Sequence, residues 1–496
     1  MTSESGAPAP RSGLVRNAFH LGIGQVLTTA LTMLLTAAVA RTLGSTDYGL
    51  LYLLTSISNF AYVFVDWGHG PYVTREVARR PDRSGELLGS VLTVRVITAF
   101  VMCAIVVTLT WALDYDVRTR VLAAYMVLAQ LPIYLGLTFA WVFRGRERMD
   151  YDASLNVVLK VATLTLALTC LALGGRLIGL IASYSTAGVI TLILAFTMYR
   201  RLKFPSLHVS RSTATELMRD GAPMLAISLA IAVQPYIDAN ILYKLASADV
   251  VGWYGASWGI AGTLVAPATI LAASMYPRLS RAAADRQEFA RALRVGFRPL
   301  VLVAILAGTG TYVFADVAIS VVYSRQKFGP AASILRAFAP ALVLIYIDML
   351  FGNAILAAGK AVQLAKVKVV AVVVTTALEL ILIRWFQVHY SNGGIGIVLA
   401  IAGGELVMVA GAVFLIRDIV TVGMATDFLR GAVSGGATIL LMHWLPDITP
   451  FIAIPLCVAL YLVFSAAAGL VRRSDLDLLV ATLRRRSAPV TEDTAG

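Results

Sequence analysis

Charge is scarce in this chain. Asp, Glu, Lys and Arg together make up 14% of 496 residues, against about a quarter in an ordinary soluble domain. Cysteine is scarcer still. Cys103, Cys170 and Cys457 lie far apart, each inside an apolar run. They read as small buried hydrophobes, and they exclude a disulfide framework. The five histidines, His20, His69, His208, His389 and His443, are equally scattered, so no zinc spacing exists. A phosphate-binding loop is missing as well. Its nearest lookalike, Gly352 to Gly359-Lys360, has six intervening residues instead of four, and Ala361 stands where a Ser or Thr would meet Mg²⁺. That disfavours an ATP-driven pump.

Long polar segments are also lacking. The largest loops, around 200–220 and 277–296, are too short for a folded soluble domain. Among the segments expected outside the cell, the short one at 114–120 carries an Asp-x-Asp sequence, Asp114-Tyr115-Asp116. A polytopic glycosyltransferase or polymerase would carry its catalytic groups on a sizeable outer loop, and every outer segment here is short, so the chain reads as a protein that is not an enzyme.

What the chain has is apolar length. Hydrophobic residues make up 58% and mean hydropathy is +0.79. Runs near 20 residues recur from end to end, each long enough to cross about 30 Å of hydrocarbon as a helix. Fourteen spans follow, at 18–40, 48–66, 87–113, 121–143, 155–174, 177–199, 221–243, 252–276, 297–320, 332–357, 364–386, 394–416, 428–446 and 451–471. The first ends in Ala38-Val39-Ala40, which mimics a signal-peptide cleavage site. At 18–40 it exceeds a signal core, so it is read as a retained span.

The net charge of +13 tests the count. With the N-terminus in the cytoplasm, the spans alternating, and cations within four positions of a span end counted with the adjoining loop (Lys366 and Lys368 among them), 30 of the 41 Lys and Arg fall on inner segments and nine on outer ones. That is the asymmetry of an inner-membrane topology with both ends in the cytoplasm. Cations confined to short loops, with no basic stripe interleaved with aromatics, do not fit nucleic-acid binding.

The chain resembles itself at an offset of a little over 200 residues. Arg41 to Gly49 parallels Tyr243 to Asp249 followed by Gly252. Pro71 and Arg75 line up with Pro277 and Arg281, Pro132 with Pro340, Gly145-Arg146 with Gly359-Lys360, and Gly179 with Gly396. Six spans per half give both halves the same orientation, a parallel repeat as in some transporters. The predicted architecture is all-α integral membrane, with two pseudo-symmetric six-helix lobes around a central cavity. It comprises an N-terminal tail (1–17), an N-lobe (18–199), a linker (200–220), a C-lobe (221–416), two further helices (428–471) and a basic tail (472–496).

The stretch Ala40-Arg41-Thr42-Leu43-Gly44-Ser45-Thr46-Asp47-Tyr48-Gly49, then Val65-Asp66-Trp67-Gly68-His69-Gly70 and Thr74-Arg75-Glu76-Val77-Ala78-Arg79, resembles the N-terminal signature of the polysaccharide flippase family. That family belongs to the multidrug/oligosaccharidyl-lipid/polysaccharide, MATE-like, exporter superfamily. Arg144-Gly145-Arg146-Glu147-Arg148-Met149 and Gly393-Gly394-Ile395-Gly396 leading to Glu405 are similar to later family patterns. The resemblance implies a flippase for lipid-linked oligosaccharides carried on undecaprenyl pyrophosphate, working beside membrane lipids and polysaccharide polymerase or glycosyltransferase machinery. The alternative on the same fold is a cation-coupled exporter of drugs or other small molecules.

Ionisable residues inside spans are costly and mark functional sites by default. Arg95 in span three and Lys160 in span five are the candidate cavity cations for a pyrophosphate. Asp238 in span seven and Asp348 in span ten are the candidate site for a coupling Na⁺ or H⁺. Related MATE-like exporters place acids in those two helices, and no other cofactor is implied. The competing reading of Arg95 is a side chain that snorkels to the headgroups. For the two acids it is interhelical hydrogen bonding or pairing with Arg336 or Arg384.

Overall fold

The computed structural model describes residues 11–445 and 448–471, with side chains from Leu31 onward except at four positions in 227–232. Residues 1–10 of the predicted N-terminal tail and the basic tail 472–496 lie outside the described residues.

The described chain forms helices and turns and no strand. Hydrocarbon offers no partner for backbone N–H and C=O groups, so a spanning segment must satisfy them within itself. The helices are α1 (Arg11–Asp66), α2 (His69–Arg79), α3 (Ser84–Ala112), α4 (Val117–Gly145), α5 (Met149–Ala172), α6 (Leu177–Arg201), α7 (Arg211–Leu245) and α8 (Ala248–Ala282). They continue with α9 (Arg286–Val313), α10 (Ala315–Val322), α11 (Arg325–Phe328), α12 (Ala331–Ala357), α13 (Ala361–Tyr390), α14 (Gly393–Leu415), α15 (Val422–Trp444) and α16 (Pro450–Ala467). Eleven helical stretches among the described residues are long and apolar enough to cross a bilayer.

Every predicted span but one falls on a helix. The first two share α1, which breaks at Gly44 with φ 82° and ψ 177°. Only glycine adopts that conformation cheaply, so one residue turns the chain between them. The exception is 297–320. Its helix starts earlier, at Arg286, where the Asp285 carboxylate caps the Gln287 and Glu288 amides, and it stops at Phe314. Asp316, in the first turn of α10, pairs with Arg336 of α12. An acid there suits a fresh helix N-terminus better than the middle of a span.

Side-chain hydroxyls on these helices are satisfied locally. Thr98, Thr108, Thr163 and Thr186 each donate to the carbonyl four residues back, so a polar residue can face lipid without an orphaned group. The outward faces are otherwise apolar. Val369, Val373, Leu380 and Ile381 are exposed along α13, as are Phe100 and Trp111 on α3. Rows of this kind are too apolar for water and suit acyl chains.

The chain divides into two compact units, one through Gly255 and one from Ala256. A core of the first joins α2, α3, α4 and α6 through Val73, Leu87, Phe139, Phe143 and Tyr199. In the second, α8, α9, α12, α14, α15 and α16 meet around Leu279, Phe297, Tyr346, Phe351, Met424 and Tyr461. The small residues at Gly431 and Gly435 do bring helices close. A Cβ on Gly435 would lie 2.7 Å from Ile305 and 2.8 Å from Thr309 of α9.

Candidate functional site

The first unit has two distinct ends. At the end marked by Gly44, the stretches matched in the internal repeat touch. Ser45 and Thr46 both donate to one carboxylate oxygen of Asp249, at 2.5 and 2.8 Å. The backbones meet reciprocally. A Cβ on Gly49 would strike the Ala248 carbonyl, and one on Gly252 would strike the Ser45 carbonyl. Tyr52 and Tyr254 stack edge to face just beyond, 5.8 Å apart. Two of the cations here are occupied. Arg118 pairs with Asp47 at 3.2 Å, and Lys244 donates to the Asp114 carbonyl at 3.1 Å while sitting over the Tyr115 ring. Nearby Asp116 caps α4, and its hydrogen bonds from Thr119 hold its carboxyl below the usual range.

The interior holds Arg95, which is 1% exposed, so it does not snorkel. Its guanidinium pairs with Asp66, donates to the Thr138 hydroxyl and to the Tyr134 carbonyl at 2.7 Å, and lies 4.5 Å from the Trp141 ring centroid. Asp66, whose side chain is 43% exposed, is the accessible member of the pair. The group exposed here is a carboxylate backed by a buried cation. Lys160, on α5, is half-buried and makes no hydrogen bond or ion pair with the described residues.

At the opposite end, α2 and the α4–α5 turn enclose a cleft of about 860 Å³. Arg75 and Thr74 line one wall and Arg144, Arg146 and Glu147 the other, with Trp141 between. Two of the segments that carried the family resemblance, Thr74–Arg79 and Arg144–Met149, converge on this space. Close packing holds them there, since a Cβ on Gly145 would lie 2.7 Å from the Thr74 carbonyl. The turn is tight. Glu147 takes φ 59°, and the Arg148 amide returns to the Phe143 carbonyl at 2.8 Å.

Asp238, on α7, is 3% exposed and accepts a hydrogen bond from Gln234, one turn back, at 2.6 Å. Asp348 belongs to the second unit and sits in a cluster. It interacts electrostatically with Lys368 of α13, and Glu405 of α14 interacts with both. One oxygen of Asp348 and one of Glu405 are buried without a hydrogen-bond partner. The cluster holds two acids and one base, which leaves one charge to be met by a proton or a cation. Sequence reasoning placed Lys368 among the loop cations. Its position eight residues into α13, about 12 Å along the helix axis, makes it a partner of the two acids. Arg336, offered as a partner for the acids, pairs instead with Asp316.

Polar stations buried on long apolar helices, with short connections between them, define a polytopic protein of the transporter class. Residues 14–283 match the family model described as polysaccharide biosynthesis protein. That is more than half of the chain, and the chain belongs to this family. It is 21% identical over 378 residues to the probable low-salt glycan biosynthesis flippase Agl15 of Haloferax volcanii, covering 76% of this chain and 79% of the relative. Among solved structures, its fold is similar to the lipid II flippase MurJ in an inward closed conformation. The TM-score is 0.69 at 14% identity, over 90% of this chain and 98% of that one. It is also similar to an inward-facing multidrug resistance MATE family transporter of the MOP superfamily, with TM-score 0.59 at 14% identity, over 85% and 96%. These likenesses establish the MATE-like transporter fold, and the eleven membrane-length apolar stretches, with the flippase relative, indicate a multi-pass membrane protein.

Proposed function

We propose that this protein is a flippase that carries a lipid-linked oligosaccharide, on a polyprenyl pyrophosphate such as undecaprenyl pyrophosphate, from the inner to the outer leaflet of the cytoplasmic membrane. It acts there as a transporter and not an enzyme, and it supplies cell-surface polysaccharide synthesis beside its glycosyltransferases and polymerase. The observation that carries this reading is the placement of Asp66, Arg95, Asp238, Asp348, Lys368 and Glu405 on membrane-length helices. The machinery lies at bilayer depth, where moving a polar head across is the task. The glycan-flippase relative supports the cargo class. The 30-to-nine charge asymmetry supports cytoplasmic ends. The clasp between the repeat-matched stretches supports alternating access, as a contact that opens when the cargo leaves. Asp348, with Glu405 and Lys368, is the coupling site, and the ammonium already inside the cluster favours H⁺ over Na⁺.

Complementation tests the reading. A strain lacking the protein accumulates lipid-linked glycan on the inner leaflet, and the wild-type gene restores export. An Asp348→Asn variant of equal abundance restores little. Normal export in the deletion strain, with no second flippase present, rejects the function and favours a small-molecule exporter. Full restoration by Asp348→Asn removes the coupling site alone.

A further inference from the structure

The cleft between α2 and the α4–α5 turn contains cations that the fold does not consume. Arg144 is spoken for, because its guanidinium grips both oxygens of Asp152, one at 3.2 Å. Arg148, just outside, pairs with Asp150 at 3.0 Å. Arg75 and Arg146 differ. Neither has a carboxylate within ion-pair distance among the described residues. Each is steadied by a ring instead, Arg75 over Tyr72 at 5.6 Å and Arg146 over Phe204 at 5.1 Å. A ring face fixes the plane of a guanidinium and leaves its N–H edge free, which is the arrangement that suits bidentate donation to phosphate oxygens. Glu147 is the one acid lining the cleft. The remaining balance is one net positive charge, contributed by two forks that face a shared space.

The lip adds an apolar element. Met149 is exposed at 53%, and Pro71 and Ala78 line the cleft beside the charges. The cleft also lies beside α2 where α4 ends at Gly145 and α5 begins at Met149, at the ends of two helices long and apolar enough to span a bilayer. A ligand that fits has phosphate oxygens for the two forks and an apolar remainder that stays in the bilayer. We propose that this cleft is a docking site for the phosphate head of a membrane lipid, gripped by Arg75 and Arg146. It is separate from the Arg95–Asp66 station, whose guanidinium is already engaged by protein groups. The choice of a polyprenyl diphosphate as the natural occupant rests on the flippase reading; the phosphate chemistry does not.

The full chain in phosphatidylcholine nanodiscs provides the test, with radiolabelled undecaprenyl diphosphate as the probe and phosphatidylglycerol as competitor. Arg75→Gln and Arg146→Gln are each expected to weaken binding about tenfold, and the double variant about a hundredfold, as expected for losing charged hydrogen bonds. Arg144→Gln is expected to change binding less than threefold. Thermal unfolding matching wild type confirms that the double variant is folded, and Arg→Lys at both positions restores part of the affinity. If phosphatidylglycerol displaces the probe mole for mole, the site stands and its occupant is bulk anionic lipid. If it does not, the occupant is the polyprenyl diphosphate. Unchanged affinity in the folded double variant overturns the proposal. The measurement reads binding alone, so it stands whether or not the protein exports glycan.

Discussion

Asp66 and Arg95 show how one residue can govern a fold at bilayer depth. Arg95 is wholly buried, and the Asp66 carboxylate is its only anionic neighbour among the described ion pairs. Removing that carboxylate leaves a buried cation without its anion; because Asp66 is 43% exposed, water screens the pair and the loss falls below the roughly 3–5 kcal/mol of a fully buried one. Asp66→Asn is therefore expected to lower the unfolding temperature of the detergent-solubilised protein sharply. Asp66→Leu combined with Arg95→Met is expected to recover most of the loss, because both charges leave together. A double variant no more stable than Asp66→Asn would show that the pair is not the source of the stability. Sequence singled out both residues yet did not pair them. They stand 29 positions apart, and α2 intervenes with a left-handed turn at Trp67 and Gly68. Periodicity carries no information about such a turn. Lys368 was misplaced for a related reason. Its proximity to the end of an apolar run concealed that its ammonium meets Asp348 and Glu405.

At the scale of elements, the long helices were legible and the short ones were not. Each long apolar run announces a span because hydrocarbon thickness sets its length. The segment α2 is only 11 residues and carries Arg75, Glu76 and Arg79, so hydropathy passes over it, although it forms one wall of the cleft. The end of the ninth run was drawn too far because Ala315 to Val322 is itself apolar. Only the charge pair at Asp316 marks the new helix. The repeat-matched stretches at the Gly44 end give a direct test of movement. In a background with Cys103, Cys170 and Cys457 replaced by Ser, Ser45→Cys with Asp249→Cys is expected to form a cross-link that arrests glycan export, and reductant is expected to restore it. Undiminished export with the cross-link complete would mean that this contact does not open during transport.

For the molecule as a whole, orientation is the claim with most reach. Cations crowd the Gly145 end of the first unit, where Arg75, Arg79, Arg80, Arg83, Arg144, Arg146 and Arg148 gather. At the Gly44 end, Arg118 and Lys244 are tied to Asp47 and to the Asp114 carbonyl. Tags placed at both ends of the chain are expected to be cleaved by protease in everted membrane vesicles and protected in intact cells. Opposite behaviour of the two tags would require an odd number of crossings and undo the even count. Composition and charge alternation made the class and the helix positions readable. They did not reveal which charges meet, because each meeting depends on the packing of helices distant in sequence.

The two hydroxyls of Ser45 and Thr46 on Asp249 have a further consequence for timing. A hydrogen bond to a charged group contributes about 1.5–3 kcal/mol, so the pair together holds with roughly 3–6 kcal/mol. That range brackets the preference that turns a 1:99 mixture of two states into 99:1. On the alternating-access reading proposed above, a catch of this strength would keep one side closed most of the time and still release thermally, without chemical fuel. Its strength would then set how long the pathway waits between openings.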